Sequence, residues 1–381
     1  MKQAWPQVRL SDVMSQVQRD EAPALGKNYR QIGVRLWGQG AYERESIDGS
    51  QTQYTKLFEA REGDIVVNKI WARNGSVAVV SDALNGSWGS TEFPLFEPDR
   101  TRLNPRWMHW ITKAPWFWNA CDEHAKGTSG KNRIKPDQFL GIEIPLPPLE
   151  VQQSIVARID TVQQKLQAAD ELRASIDKEV ASLLAVRFQE TLTHAQWLSM
   201  SDVAPLVRRE VAIESESNYS ELGVRSFFKG AFIRRKVVGA EFTWQKLYQV
   251  NINDLIFSNI MAWEKGIALA NAGHDKCVGN HRMLTCEANP ILALSAYLHY
   301  YFTTDEGFAK VYAASPGTAA RNRTLTADAL MGLTVPAPTL AVQSQFVELK
   351  NALEKSVVKR AEQKPIADAV LPSLVQSLLV Q

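Results

Sequence analysis

Four places in this 381-residue chain bring together residue types that could do chemistry. Gly127-Thr128-Ser129-Gly130-Lys131-Asn132 has the glycines and lysine of a phosphate-cradling loop. Its glycine spacing is wrong, however, and Asn132 stands where a Ser or Thr must meet the magnesium ion. Gly38-Gln39-Gly40 opens like a dinucleotide fingerprint but lacks the third glycine. His274, Cys277, His281 and Cys286 are zinc-ligand types at short spacing. Pro136-Asp137 followed by Glu143-Ile144-Pro145 imitates a nuclease motif without its lysine. A methyltransferase-type Asn-Pro-Pro-aromatic or Asp-Pro-Pro-aromatic tetrapeptide does not occur.

These fragments can be compared with a second copy of themselves, because the chain is an internal repeat. Leu10–Val13 (LSDV) returns 190 residues later as MSDV at Met200–Val203. Asn28–Tyr42 (NYRQIGVRLWGQGAY) returns as NYSELGVRSFFKGAF at Asn218–Phe232, with seven of fifteen positions identical; chance would give about one. Lys56-Leu57 returns as Lys246-Leu247, and Gly63–Ile70 as Asn253–Ile260. Gly127–Arg133 returns as Gly317–Arg323 (GTAARNR), without the second glycine and the lysine of the loop. The zinc-type set aligns with Leu84, Ser87, Thr91 and Phe96, which are not a ligand set. The reading is therefore of a chain with no catalytic constellation and no metal site.

Composition bounds the class. Apolar residues make up 45% and charged residues 22%, as in soluble globular proteins. No apolar run reaches the roughly 18 residues of a membrane span, and the N-terminus has no secretory h-region with a cleavage site. Three cysteines, Cys121, Cys277 and Cys286, are too few and too irregular for a disulfide framework. A cytoplasmic location follows. Net charge is only +2, with 19 basic and 17 acidic residues in 1–149 and 14 and 13 in 198–339. Any nucleic-acid-binding face must come from spatial clustering, or a partner must supply the charge.

Each copy reads as a compact α+β domain followed by a rod. GDIVVNKI, SVAVVSD and GIEIPLP are short β-branched runs bounded by Gly, Asp or Pro, as in strands. Arg106–Ala125 and Ile291–Ala314 read as helical. Tryptophans at helical spacing in Arg106–Trp118 are expected in the core. The kept glycines Gly33, Gly40, Gly49 and Gly127 are expected in turns.

From Leu149 to Leu192 there is neither Pro nor Gly. Ile155, Ile159, Val162, Leu166, Ala169, Ile176, Val180 and Leu183 form a heptad-like stripe, with Arg173 at one core position. About 43 residues make a rod of about 64 Å. Phe346, Leu349, Leu353 and Val357 repeat the stripe from Leu340, until Pro365 and Pro372, which should kink or break the helix. Pro147-Pro148 in one copy, and Pro336 and Pro338 in the other, disfavour helix just before each rod. Two matched stripes favour pairing with each other, antiparallel and with pseudo-two-fold symmetry.

The domain–rod duplication, the SDV opening, the GDI strand and above all GTSGKNRIKPDQFLGIEIPLPPLEVQQSIVARID resemble the specificity subunit of type I restriction–modification enzymes. The likeness covers essentially the whole chain. Where that family has Glu-Gln before the helix, this chain has Val151-Gln152 and Val342-Gln343, and the second copy softens the proline motif to VPAPTL. The resemblance implies target-recognition domains at 1–148 and 196–338, with helical spacers at 149–195 and 339–381. It implies that each domain reads one half-site of double-stranded DNA in the major groove, while paired rods fix the spacer. It also implies two methyltransferase subunits that use S-adenosylmethionine on adenine, joined in restriction complexes by ATP-dependent translocating nuclease subunits. No cofactor is then expected in this chain, whose near-neutral charge would be offset by phosphate contacts from its partners.

Positions kept between the copies are expected to be scaffold or backbone contacts: Arg35 and Arg225, Asn132-Arg133 and Asn322-Arg323. Positions that differ inside matched loops are better candidates for base reading. They are Trp37 against Phe227 or Phe228, Arg73-Asn74 against Trp263-Glu264-Lys265, and Lys131 against Arg321; Lys229 joins them. Salt bridges and ordinary solvated loop residues are the bland alternatives. Gln152, Ile155, Ile159, Val162 and Leu166, with Gln343, Phe346, Leu349 and Leu353, are expected to pair the helices or dock subunits. Two other functions remain open: targeting for a different DNA-modification or phage-defence system, and a coiled-coil adaptor that binds protein.

Overall fold

A computed structural model describes residues 5–125, 133–242, 246–317 and 323–379. The chain divides into two compact units, Met1–Arg173 with Ala361–Gln381, and Ala174–Arg360. Each holds one globular copy of the repeat and a segment of both long helices.

The first unit is built on an antiparallel sheet in the order Val77–Val79, Ile65–Val67, Leu95–Pro98, Met14–Gln16. Ile65, Val66 and Val67 are all fully buried. Successive side chains point to opposite faces of a strand. Ile65 and Val67 accordingly join one apolar cluster with Trp107, Phe117 and Phe139, while Val66 joins another with Ile32, Val34 and Leu84. The second unit repeats the arrangement. Its sheet runs Ile267–Leu269, Leu255–Ser258, Met283–Cys286, with Leu255 and Phe257 in one cluster and Ile256 in another.

The segment expected to be helical in the first unit forms two helices, Pro105–Ile111 and Pro115–His124. Each starts with a proline, whose missing N–H costs nothing in the first turn. The second unit makes the same break with a different device. Thr304 separates Ser295–Thr303 from Asp305–Ala313 and caps the latter by accepting the Gly307 N–H at 3.2 Å. Trp107 and Trp110 are core residues, as their spacing suggests. The ends of each globular copy pair as antiparallel strands, Gln7–Arg9 with Glu143–Pro145 and Gln196–Ser199 with Thr334–Ala337. Both pairs stand directly before a long helix.

Those helices are Leu149–Leu192 and Leu340–Leu379. Within the first unit, Val156 and Ile159 share an apolar cluster with Val375, Leu378 and Leu379, and Asp170 meets Lys364 at 3.6 Å. Within the second, Leu184 and Phe188 cluster with Phe346, and Asp177 meets Arg360 at 2.6 Å. In each unit the two segments therefore run antiparallel. Ile155, Val162, Leu166, Leu349 and Leu353 lie half-buried along the stripe, and Arg173 sits there paired to Asp170 at 2.7 Å.

Three expectations are corrected. Leu183 is exposed and Leu184 is buried in its place, because the stripe steps by four from Val180 through Leu184 to Phe188. Pro365 and Pro372 do not break the second helix, which continues through both. The carbonyls they free, on Ala361 and Asp368, belong to exposed residues that water can reach. Finally, Gln152 and Gln343 do not lie on the helix-pairing seam. Each is fully buried and bonded to the backbone of its own globular copy. The Gln152 oxygen accepts the Asn104 N–H at 2.9 Å, and its nitrogen donates to Arg102 O and Pro147 O, both at 2.8 Å. The Gln343 oxygen accepts the Leu294 N–H at 2.8 Å, and its nitrogen donates to Leu292 O at 2.9 Å and Pro338 O at 2.7 Å. An amide is required because the site needs an acceptor and two donors at once.

Gln152→Ala would leave three backbone groups without partners in a buried site. A stability loss of about 3 kcal/mol is expected in urea unfolding, against less than about 0.5 kcal/mol for the exposed neighbour Gln153→Ala. Equal losses for the two variants would contradict the clasp.

Candidate nucleic-acid interface

Two turns in each copy carry most of the predicted contact residues. In the first copy a hairpin joins Ile32–Val34 to Ala41–Glu43 through the turn 35–40. Beside it, the 3-10 turn Ala72–Asn74 ends at Gly75. Backbone bonds strap the turns together: the Trp37 N–H donates to Asn74 O at 2.7 Å, and the Gly38 N–H to Gly75 O at 3.0 Å. In the second copy the Phe227 N–H donates to Glu264 O and the Phe228 N–H to Lys265 O, both at 3.0 Å. The surface is thus formed by two loops held in fixed register.

The arginine kept at this turn rests on a ring. The Arg35 guanidinium lies 4.7 Å from the Tyr42 ring centroid, and that of Arg225 lies 4.4 Å from Phe232. The ring is placed by a glycine across the hairpin. A Cβ on Gly33 would come within 2.8 Å of the Tyr42 ring, and one on Gly223 within 2.9 Å of Phe232. Gly33 is therefore kept for this close approach and lies in a strand, not in the turn its type suggests. Gly40 is a turn glycine, with φ +91°. Gly49 is kept because a Cβ would meet Ala24 O at 2.1 Å.

The turns are rich in basic residues. Among the described residues, Arg35, Arg73, Arg225, Lys229 and Lys265 have no acidic partner within ion-pair distance. Arg35, Arg73, Arg225 and Lys229 are exposed, while Asn74, Trp263 and Lys265 are half-buried. The Lys265 ammonium lies 5.5 Å from the Phe228 ring and 5.2 Å from Phe308. Trp263 donates its indole N–H to Ile260 O at 2.8 Å. Trp37 meets Trp118 edge-on at 5.9 Å. Lys113 donates to Gly38 O at 3.3 Å, and burial, then Arg106, push its pKa below the usual lysine range.

Other predicted residues are engaged elsewhere. Arg133 pairs with Glu92 at 3.2 Å, beside Lys69 at 3.6 Å. Arg323 donates to Ser315 O at 3.0 Å and Tyr312 O at 3.3 Å and stacks on the Tyr312 ring. Both therefore have structural partners. Lys131, Asn132, Arg321 and Asn322 lie outside the described residues. Cys286 sits in a core strand, where burial pushes its thiol up to about 12. Cys277 lies in a smaller apolar cluster and is likewise raised by burial.

An ion cluster around a buried aspartate, at the start of the strand that leads to the 3-10 turn of each copy, escaped the sequence reading. Arg19 binds Asp64 and, at 3.0 Å, Glu97; Arg209 binds Asp254 at 2.7 Å and Glu287 at 2.7 Å. Burial pushes the Asp64 carboxyl up, opposed by the Arg61 N–H and by Arg19. The hydrogen bond to Asp254 raises Arg209. Removing the arginine, and so leaving the buried aspartate unpaired, costs about 3–5 kcal/mol. The cue was available, since all three residues recur at the same offset.

Comparison with known proteins follows the same lines. Residues 2–178 match the family model described as the type I restriction modification DNA specificity domain. The EcoAI type I restriction enzyme specificity subunit of Escherichia coli is 27% identical over 130 residues. That match covers 33% of this chain and 22% of the relative, so the chain aligns with only about a fifth of that protein. The fold resembles the HsdS subunit from Thermoanaerobacter tengcongensis, with a TM-score of 0.68 at 18% identity, over 100% of this chain and 97% of that one. A chain from a structure on complex assembly and conformational transition of the type I R-M system gives 0.62 at 18% identity, over 99% and 96%.

Gly33→Ala should displace the Tyr42 ring and cost about 1–3 kcal/mol in thermal or urea unfolding. In a Tyr42→Ala background the same change should cost far less, since the clash is gone. Equal costs in both backgrounds would contradict the account of the arginine platform.

Proposed function

We propose that this chain belongs to the type I restriction–modification DNA specificity family and is the non-catalytic reader of a two-part DNA target. Each unit reads one half-site through its strapped turns. The observation that carries this reading is the pair of acid-free arginines, Arg35 and Arg225. They stand on the same aromatic platform in both copies, beside turn residues that differ. Shared cations suit phosphates, which fix register without carrying sequence. Differing side chains suit base edges. The first half-site falls to Trp37, Arg73 and Asn74, the second to Lys229, Trp263 and Lys265.

The partners follow from the same reading. Two methyltransferase subunits bind this chain and modify an adenine in each half-site, with S-adenosylmethionine held in the methyltransferase. They contribute phosphate contacts that a net charge of +2 cannot. ATP-dependent translocating nuclease subunits join in restriction-competent assemblies. The complex works in the cytoplasm. Among the described residues, no helix is long and apolar enough to cross a membrane.

Mapping methylated adenines in the host genome tests this directly. Deleting the gene should abolish a bipartite motif. Arg73→Ala should relax preference in one half of it and Lys265→Ala in the other, each by about 1–3 kcal/mol of discrimination. A methylome unchanged by deletion would contradict the assignment and favour a protein-binding adaptor.

A further inference from the structure

The two strapped turns contain a backbone conformation that their side chains disfavour. Six non-glycine residues have positive φ among the described residues, and four lie in these turns: Trp37 (58°), Phe227 (59°), Phe228 (54°) and Lys265 (66°). The left-handed region brings Cβ against the following carbonyl, which bulky residues avoid and glycine does not. Such strain persists only where the surroundings over-determine it. Here the backbone straps to Asn74, Gly75, Glu264 and Lys265 do so.

Ring burial does not explain the aromatic choice. Trp37 is 55% exposed and Phe227 is 61% exposed. Trp37 touches Trp118 at one edge. In the second copy Phe228 takes that inward role against Phe308, at 5.9 Å, and Phe227 is left outward. The residue changes between the copies, from Trp to Phe, while its position, its left-handed backbone, its exposure and its aromatic character are kept. An arginine free of acidic partners stands two residues before it in both copies.

We propose that Trp37 and Phe227 are wedges, each inserting between two base pairs of its half-site and unstacking that step while Arg35 or Arg225 holds the adjacent phosphate. The inference rests on the DNA-reading assignment above and specifies how the reader engages its target. An apolar ring driven into a base step kinks the duplex and exposes more of it to the protein. Rigid presentation suits this role, since a floppy ring would lose its entropy on insertion. The strap and the strained backbone supply that rigidity before DNA arrives.

Trp37→Gly and Phe227→Gly separate the wedge from the fold, because glycine accepts the left-handed conformation and both variants should melt at or above the wild-type temperature. The full-length chain, co-purified with its host partners, is titrated with duplexes carrying the motif mapped by methylation. In these duplexes 2-aminopurine replaces, in turn, each position except the methylated adenine. The wild type should raise fluorescence at one step in each half-site. Trp37→Gly should abolish the rise in the first half alone and Phe227→Gly in the second alone, each weakening binding about tenfold. Wild-type binding with no fluorescence rise, or a rise that survives both glycine variants, overturns the wedge and leaves the DNA reading intact. Failure of the wild-type complex to bind duplex overturns both.

Discussion

One buried amide decides where each long helix leaves its globular body. Gln152 and Gln343 each close three hydrogen bonds to backbone that precedes the helix, some from the adjoining turn and some from about fifty residues earlier. In one bond set the loop before the short helices, the proline-bearing segment after the last strand, and the first turn of the rod are tied together. A globular body on a flexible joint would present its turns in no fixed direction. Three charge-neutral bonds in a dry site remove that freedom and leave no buried polar group unpaired.

The duplication separates what must be common from what must differ. Both copies keep the clasp, the Arg–Asp–Glu cluster, the glycine–ring–arginine platform and the two backbone straps. The tips differ. Leu36-Trp37-Gly38 becomes Ser226-Phe227-Phe228, and Gly75 becomes Lys265. Charge even reverses nearby: Glu92, held by Lys69 and Arg133, is replaced by Arg282, with Asn259 in place of Lys69. A fold that keeps these interactions while its exposed tips differ suits two readers of unlike sequences.

Much of this was legible in the residues. The repeat placed the strands, the break before each rod and the turn residues, because hydrophobic period and proline position are local signals. The stripe was read correctly at Ile159 and Phe346 but slipped by one at Leu183, where a heptad and a 3.6-residue helix diverge. Pro365 and Pro372 were over-read, since a proline on an exposed helix face frees carbonyls that water satisfies. Gln152 reads from the sequence as a helix-pairing or docking residue because two of its three partners lie about fifty residues away. The Arg19 cluster and the left-handed backbone at Trp37 depend on tertiary contacts, which no local pattern encodes. Gly33 was recognised as special for the wrong reason, since sequence cannot tell a turn glycine from one that makes room for a ring.

The central claim is that one chain reads two unlike sequences with two copies of one scaffold. Selection from a pool of random duplexes, with the full-length chain and its co-purified partners as bait, tests it most directly. The account predicts enrichment of two different short motifs at one fixed separation. A single uninterrupted motif, two identical half-sites, or no enrichment over the starting pool would contradict it.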